Sequence, residues 1–598
     1  MKKNALTLAM AGLGLASVLT LQGCNLSDEQ NDAGQVQVTV TDAEEDFVTY
    51  RVDVSNITFI RADGTRVNAL PINTSMDFVQ YQDVSEWFAT LSIPAGVYQA
   101  VELNLDYSNS EVVVETDAGE HVIAEVVDVQ GNAVTELTMT MNLNGEEGFT
   151  VRRGKLSQLT LDLDLEASNR IISQSPAMVQ VEPFMLATAY IDEGRDLRVR
   201  GLLSQVDVAS ETFTAEVLPM RLRSGAFGSA AVMTNSDTRF EINGEEFVGT
   251  AGLTALAELE AGVAIVSYGE HVKGEAKLLA ETVVAGSSVP WDQSDLVKGV
   301  VTARTENSIS LSGAIVETRD GIAQFGGDIQ LTVDNETDVT GYILGDASLA
   351  NIAVGQRIIA IGDATIDGAE VTFDADQVRL KFSQAVGTVV ETTPLTLDLE
   401  RYNGRRLALY NFAETGVDMN NDVDENAFEV ETFTLDTATI EQDDVVAVRG
   451  YAAAYATAPT DFEAVSIITP NFDNSAVAYS ARSVLGLGLT IEANGSLTLG
   501  LTDSSGIKFA GVPFSLSATQ TVSAIVSSES GEGRYALRYA ATAESAAYVV
   551  VYTDYAEFQL ALSAALDSGL SAKHMATKGF YDAELATIAA SQMTVSLK

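Results

Sequence analysis

Asp418, Asn420, Asp422, Asp424, Asn426 and Glu429 place oxygen donors at positions one, three, five, seven, nine and twelve of a twelve-residue stretch. With that spacing a single loop can wrap a hard cation in six or more oxygens, so the chemistry it suggests is calcium binding. Val423 stands at position six, where such loops usually turn on glycine. The flanks, residues 406–412 and 428–435, read as strands rather than helices. The expectation is a calcium loop inserted between strands. An acidic, solvated hairpin tip is the competing reading.

Other chemistry-bearing patterns are sparse. No G-x-S-x-G elbow, phosphate loop or H-E-x-x-H motif occurs in the chain. His121, His271 and His574 are far apart in sequence and read as lone surface or core histidines. Trp87 and Trp291 could stack on sugars, but packing is the commoner use of such rings. No catalytic residue is singled out, although carboxylates are abundant enough to supply a glycosidase pair. Among 598 residues, 84 are Asp or Glu and 34 are Lys or Arg, a formal charge of −50. Phosphate-backbone binding runs on clustered cations, so no nucleic-acid partner is expected. One cysteine and three histidines leave no room for an internal disulfide framework or a Cys-rich metal cluster.

That cysteine stands in a telling place. Lys2 and Lys3 precede an uncharged apolar stretch, residues 5–21, which runs into Leu21-Gln22-Gly23-Cys24 and then a mostly polar tether. The pattern resembles the lipobox of bacterial lipoproteins. The resemblance implies cleavage before Cys24, diacylation of its thiol and usually acylation of the new amino terminus. Each buried methylene contributes about 0.8 kcal/mol, so two or three acyl chains anchor a protein durably. Asn25 follows the cysteine where an inner-membrane retention signal would have Asp. The expected location is therefore the outer membrane, through a lipid anchor.

The elements that must carry these residues are strands. Val36, Val38 and Val40 alternate with Gln37, Thr39 and Thr41, and residues 101–106 and 159–165 alternate as cleanly. Period two marks half-buried antiparallel strands, so residues 36–190 read as one β-sandwich. Val38-Thr39-Val40-Thr41-Asp42-Ala43, Ile93-Pro94-Ala95-Gly96-Val97-Tyr98, Leu159 to Leu165 and Val179-Gln180-Val181-Glu182-Pro183 are similar to segments of a bacterial lipoprotein domain, domain of unknown function 4382. The resemblance implies a β-sandwich in a cell-envelope setting.

A repeat follows, opened by Val199-Arg200-Gly201-Leu202-Leu203, Val297-Lys298-Gly299-Val300-Val301 and Val386-Gly387-Thr388-Val389-Val390. Units of this length can each bury a core, so they are domains, and their order of strands suggests small Greek-key barrels of OB-like type. They look like a second family, domain of unknown function 5666. Near the end, Asp554 and Glu557 can cap a helix whose buried face is Phe558, Leu562 and Leu566, with Gly569 closing it. The remainder of that region reads as a degenerate fourth barrel.

The expected architecture is all-β: signal peptide 1–23, tether 24–35, sandwich 36–190, barrels 197–288, 296–382 and 384–470, and a C-terminal β domain with one helix, 475–598. The expected function is a non-enzymatic outer-membrane lipoprotein, a binding or structural module of the envelope, calcium-stabilised, with a protein or glycan ligand. The alternative is an envelope hydrolase acting on polysaccharide through an Asp/Glu pair.

Overall fold

The computed structural model describes residues 33–598 except 43–46, 71–72, 82–84, 117, 144–148, 154, 164, 166–168, 182–185, 189–196, 220–224, 273–276, 290–293, 307, 320–322, 369, 470–475, 483–485, 493–495, 500–505, 510–511, 515–531, 541–547 and 583–586. Cys24 and Trp291 lie outside the described residues.

The alternation around Val38 does what period two requires. Val36, Val38 and Val40 are buried on the inner face of the strand Ala33–Asp42. That strand runs parallel to Leu156–Leu163 and antiparallel to Ser85–Pro94. Facing it is a second sheet in which Phe47–Arg61 pairs with Gly96–Glu115, and Glu136–Asn142 follows. Tyr50, Phe59, Trp87, Phe88, Tyr98 and Leu161 fill the space between, all buried in one core. Two sheets closing on a shared apolar layer make a sandwich.

Each of the next three units closes a five-stranded barrel. In the first barrel Leu197–Asp207 pairs antiparallel with Thr212–Val217, which pairs with Ser229–Met233. The fourth strand, Ala264–His271, returns beside the first, and the fifth, Lys277–Ala285, lies antiparallel to the fourth and parallel to the third. The second barrel repeats every pairing with Asp295–Thr305, Ser308–Glu317, Ala323–Thr332, Arg357–Asp367 and Glu370–Lys381. The third does so with Ser383–Thr392, Leu395–Tyr402, Phe428–Glu431, Val445–Ala452 and Phe462–Ile468. Neighbour order 1-2-3-5-4 with one parallel closure is the Greek-key arrangement of OB barrels.

Closure depends on glycine in the fourth strand. A Cβ at Gly269, Gly362 or Gly450 would sit 2.0, 1.9 or 2.0 Å from a carbonyl oxygen of the fifth strand. Each glycine lies at a register shift between those strands, where the chain bends sharply to close the barrel. Gly579 stands in the same relation to Ala589 in the C-terminal unit, at 2.1 Å and beside another register shift.

That C-terminal unit keeps most of the same order. Ala476–Arg482 lies between Gly506–Phe509 and Ala572–Asp582, and Thr587–Leu597 lies between Ala572–Asp582 and Glu532–Tyr539, parallel to the latter. Among the described residues the second and third strands do not pair, so it is an opened version of the barrel. Its helix, Tyr555–Asp567, starts where expected: the Asp554 side chain accepts the Glu557 N–H at 3.0 Å, and Phe558 and Leu562 are buried. A second helix, Thr250–Ala257, was not expected. It fills the crossover of the first barrel with Leu253 and Leu256 inward, but no side chain caps it, and its eight residues offer little periodicity.

The sheets do not stop at the unit boundaries. The first barrel continues the sandwich sheet, with Leu197 opposite Ser85 and Arg198 opposite Glu86. The C-terminal unit continues the other sheet, with Val549 opposite Met141. The second and third barrels meet the sandwich through side chains: His121 contacts Ser312, and Arg405 Nη1 donates to the Phe47 carbonyl at 3.1 Å.

Candidate functional site

The acidic stretch lies between the second and third strands of the third barrel and is held by its own side chains. Asp418 Oδ1 accepts from the Asn420 N–H and Asn421 Nδ2, both at 2.9 Å. Asp422 Oδ1 accepts from the Gly416 N–H at 3.0 Å, and Asp424 Oδ1 accepts from the Asn426 N–H and Nδ2 at 3.0 and 3.1 Å. Asp418, Asn420, Asp424 and Asn426 are exposed, while Asp422 and Glu429 are half-buried. Three of the four acidic donors thus already hold turns. Among the described residues no group of three or more His, Cys, Asp or Glu is gathered to hold a metal ion.

The flanks differ from expectation on one side. Phe428–Glu431 is a strand, shorter than the stretch to 435, but residues 407–409 form a 3-10 turn. The turn is fixed by aromatic packing: Tyr410 stacks on Phe412, and its hydroxyl donates to the Tyr402 carbonyl at 2.7 Å. Alternation in the sequence had masked a coil whose inward residues are rings.

Beside the loop the fold brings in a carboxylate that spacing could not reveal. Asp461, at the start of the fifth strand, is 6% exposed. Its Oδ2 accepts the Glu429 N–H at 2.8 Å, and its buried Oδ1 has no partner. Burial pushes this carboxyl up to about 7, and the charges of Glu429 and Asp424 push the same way against that hydrogen bond. The group is poised to hold a proton near neutrality.

The histidines do not converge. His121 Nδ1 lies 3.4 Å from Ser312 Oγ, which itself donates to Asp328, and burial lowers the imidazole to about 4. His271 meets Gln158, and His574 is buried in the C-terminal sheet. Trp87 is fully buried, with Nε1 donating to Thr90 Oγ1 at 3.0 Å, so its face is closed to sugars. A cleft of about 280 Å³ lies between the sandwich and the third barrel, lined by Glu115, Ile171, Ile172, Ser173, Gln174 and Arg406. Among the described residues lining it the carboxylate is Glu115, which accepts the Arg406 N–H at 3.2 Å. Burial raises the proton affinity of Glu115, while Arg405, the Arg406 N–H and Arg401 oppose that rise.

A second cluster missed by sequence reasoning lies where the first barrel joins the sandwich. Glu86 accepts from Arg198 Nε at 2.5 Å and Arg200 Nε at 2.7 Å, and the three side chains are 0%, 8% and 3% exposed. Burial alone would raise the Glu86 carboxyl, but the two guanidinium groups hold it below its ordinary range. The available signal was charge at alternate positions, Arg198 and Arg200, among the apolar Leu197, Val199, Leu202 and Leu203. No curated protein and no solved structure matches the chain. Residues 33–176, most of the sandwich, match the family model described as Domain of unknown function (DUF4382), and the N-terminal domain is of that kind.

Proposed function

We propose that this chain is a non-enzymatic lipoprotein of the outer membrane, held through Cys24 and acting as a binding or structural module of the cell envelope. The observation that carries the reading is the sandwich gripped at two sheet edges, by the first barrel and by the C-terminal unit. Such a body makes a firm platform next to the tether and presents the loops of the second and third barrels to a protein or glycan ligand. Leu21-Gln22-Gly23-Cys24 supports the anchor. The recurring glycine-bent barrels support the likeness to domain of unknown function 5666. Metabolic labelling with a clickable fatty acid should mark the wild type in the outer-membrane fraction and leave Cys24→Ala unmarked. An unmarked wild type sinks the anchor.

The reading includes calcium at the loop 418–429, supported by its donor spacing. Asp418, Asp422 and Asp424 use Oδ1 on their turn donors, so binding there would draw on their Oδ2 atoms. Calorimetric titration should show calcium heat in the wild type and none in Asp422→Ala. Absence of heat in both removes calcium from the reading.

A further inference from the structure

The cluster at the first junction does not balance its charge. Arg198 and Arg200 are two residues apart on one strand, so both project toward Glu86 on the paired strand. Each uses its Nε on one carboxylate oxygen. The Nη2 atoms of both are buried and have no hydrogen-bond partner. Guanidinium groups keep their proton in proteins, so neither arginine can shed the surplus. Among the described residues the other groups acting on Arg198 are two phenols, Tyr268 and Tyr81, with no second carboxylate. One uncompensated positive charge therefore remains in a nearly dry place, a condition that strongly destabilises a fold.

The barrels themselves do not demand this arrangement. Aligned on Gly201, Gly299 and Gly387, the positions of Arg198 and Arg200 are Leu296 and Lys298 in the second barrel and Gln384 and Val386 in the third. Nor does the general field of a chain with charge −50 draw anions inward. An anion held here is held by direct contact. A water molecule could accept from one or both arginines, but it would leave the charge uncancelled and its own protons would need acceptors.

We propose that the junction between the sandwich and the first barrel binds a small monovalent anion of halide size on the free guanidinium edges of Arg198 and Arg200. The charges of Arg198, Lys381 and Arg200 all act on the phenol of Tyr268, a partly exposed residue, so a phenol and an ammonium lie in the neighbourhood of the same place. The anion completes the charge balance that Glu86 begins and thereby ties the barrel to the sandwich.

The test uses the full chain at fixed ionic strength, with sodium gluconate replaced stepwise by sodium chloride. The thermal midpoint should rise with chloride and saturate, as ligand binding to the folded state alone requires. Arg200→Met leaves Glu86 and Arg198 one to one and should lose the chloride response. Crystals soaked in bromide should show an anomalous peak at the two Nη2 atoms. If Arg200→Met does not fold, the bromide map of the wild type decides alone. A midpoint indifferent to chloride, a response undiminished in Arg200→Met, or a bromide map empty at the arginines overturns the site. So does a phenolate absorption band at neutral pH that Tyr268→Phe abolishes, because Tyr268 would then be the counter-charge.

Discussion

Asp461 shows how much one side chain can depend on where the fold puts it. Its folded carboxyl keeps its proton up to about pH 7. The unfolded chain releases it near the ordinary aspartate value of about 4. The native state thus binds more protons between those limits, and this group makes stability fall as pH rises through that window. Asp461→Asn keeps an oxygen for the Glu429 N–H and cannot ionise. We expect it to be more stable than the wild type at pH 8 by about 1–3 kcal/mol and nearly equal at pH 4. Urea unfolding at both pH values measures this, and a variant no more stable at pH 8 refutes it. Glu86 has the opposite sign. Its carboxyl is held below the usual range, so its contribution is present above that range and lost as pH falls beneath it. Glu86→Gln leaves two buried cations and should cost about 3–5 kcal/mol in the same assay. Neither residue was legible as a site in the sequence. Asp461 lies 32 residues beyond the Glu429 whose N–H it receives, and Arg198 reaches Glu86 across 112 residues.

Elements were far more legible, because strands announce themselves through local alternation. Val36, Val38 and Val40 needed only their own spacing, and the helix Tyr555–Asp567 carried its cap and its apolar face within sixteen residues of sequence. The barrels were readable through the repeated first-strand glycines, though in the second and third barrels the tighter approach is that of the fourth-strand glycine. Gly362→Ala drives a methyl group into the Asp374 carbonyl. It should destabilise the second barrel by about 1–3 kcal/mol, while Gly368→Ala, with nothing near its Cβ but φ at +64°, should act only through local backbone strain. Chemical denaturation comparing the two separates contact from conformation. Equal losses would mean the bend is not held by the close approach. What failed at this scale was the short helix Thr250–Ala257 and the coil before the acidic loop, where inward packing rather than periodicity decides the conformation.

At the scale of the whole molecule the sequence says least, because pairing between strand edges far apart in the chain leaves no local trace. Nothing near Ser85 or Met141 advertises that Leu197 and Val549 will lie beside them. The sandwich and first barrel share one continuous core, from Val38 and Trp87 to Phe213 and Val232. We expect native-state hydrogen exchange to find Ala33–Asp42 and Leu197–Asp207 opening with free energies within about 1 kcal/mol of each other. A first barrel that opens several kcal/mol more easily would show the two cores to be independent. The order of synthesis gives the grip at Met141 a further meaning. The flank of Glu136–Asn142 stays bare until Tyr548–Asp554 has been made, some four hundred residues later. A newborn or prematurely stopped chain therefore exposes a row of hydrogen-bonding groups able to recruit a neighbour's strand. Clumping of incomplete molecules is the hazard this topology must outrun.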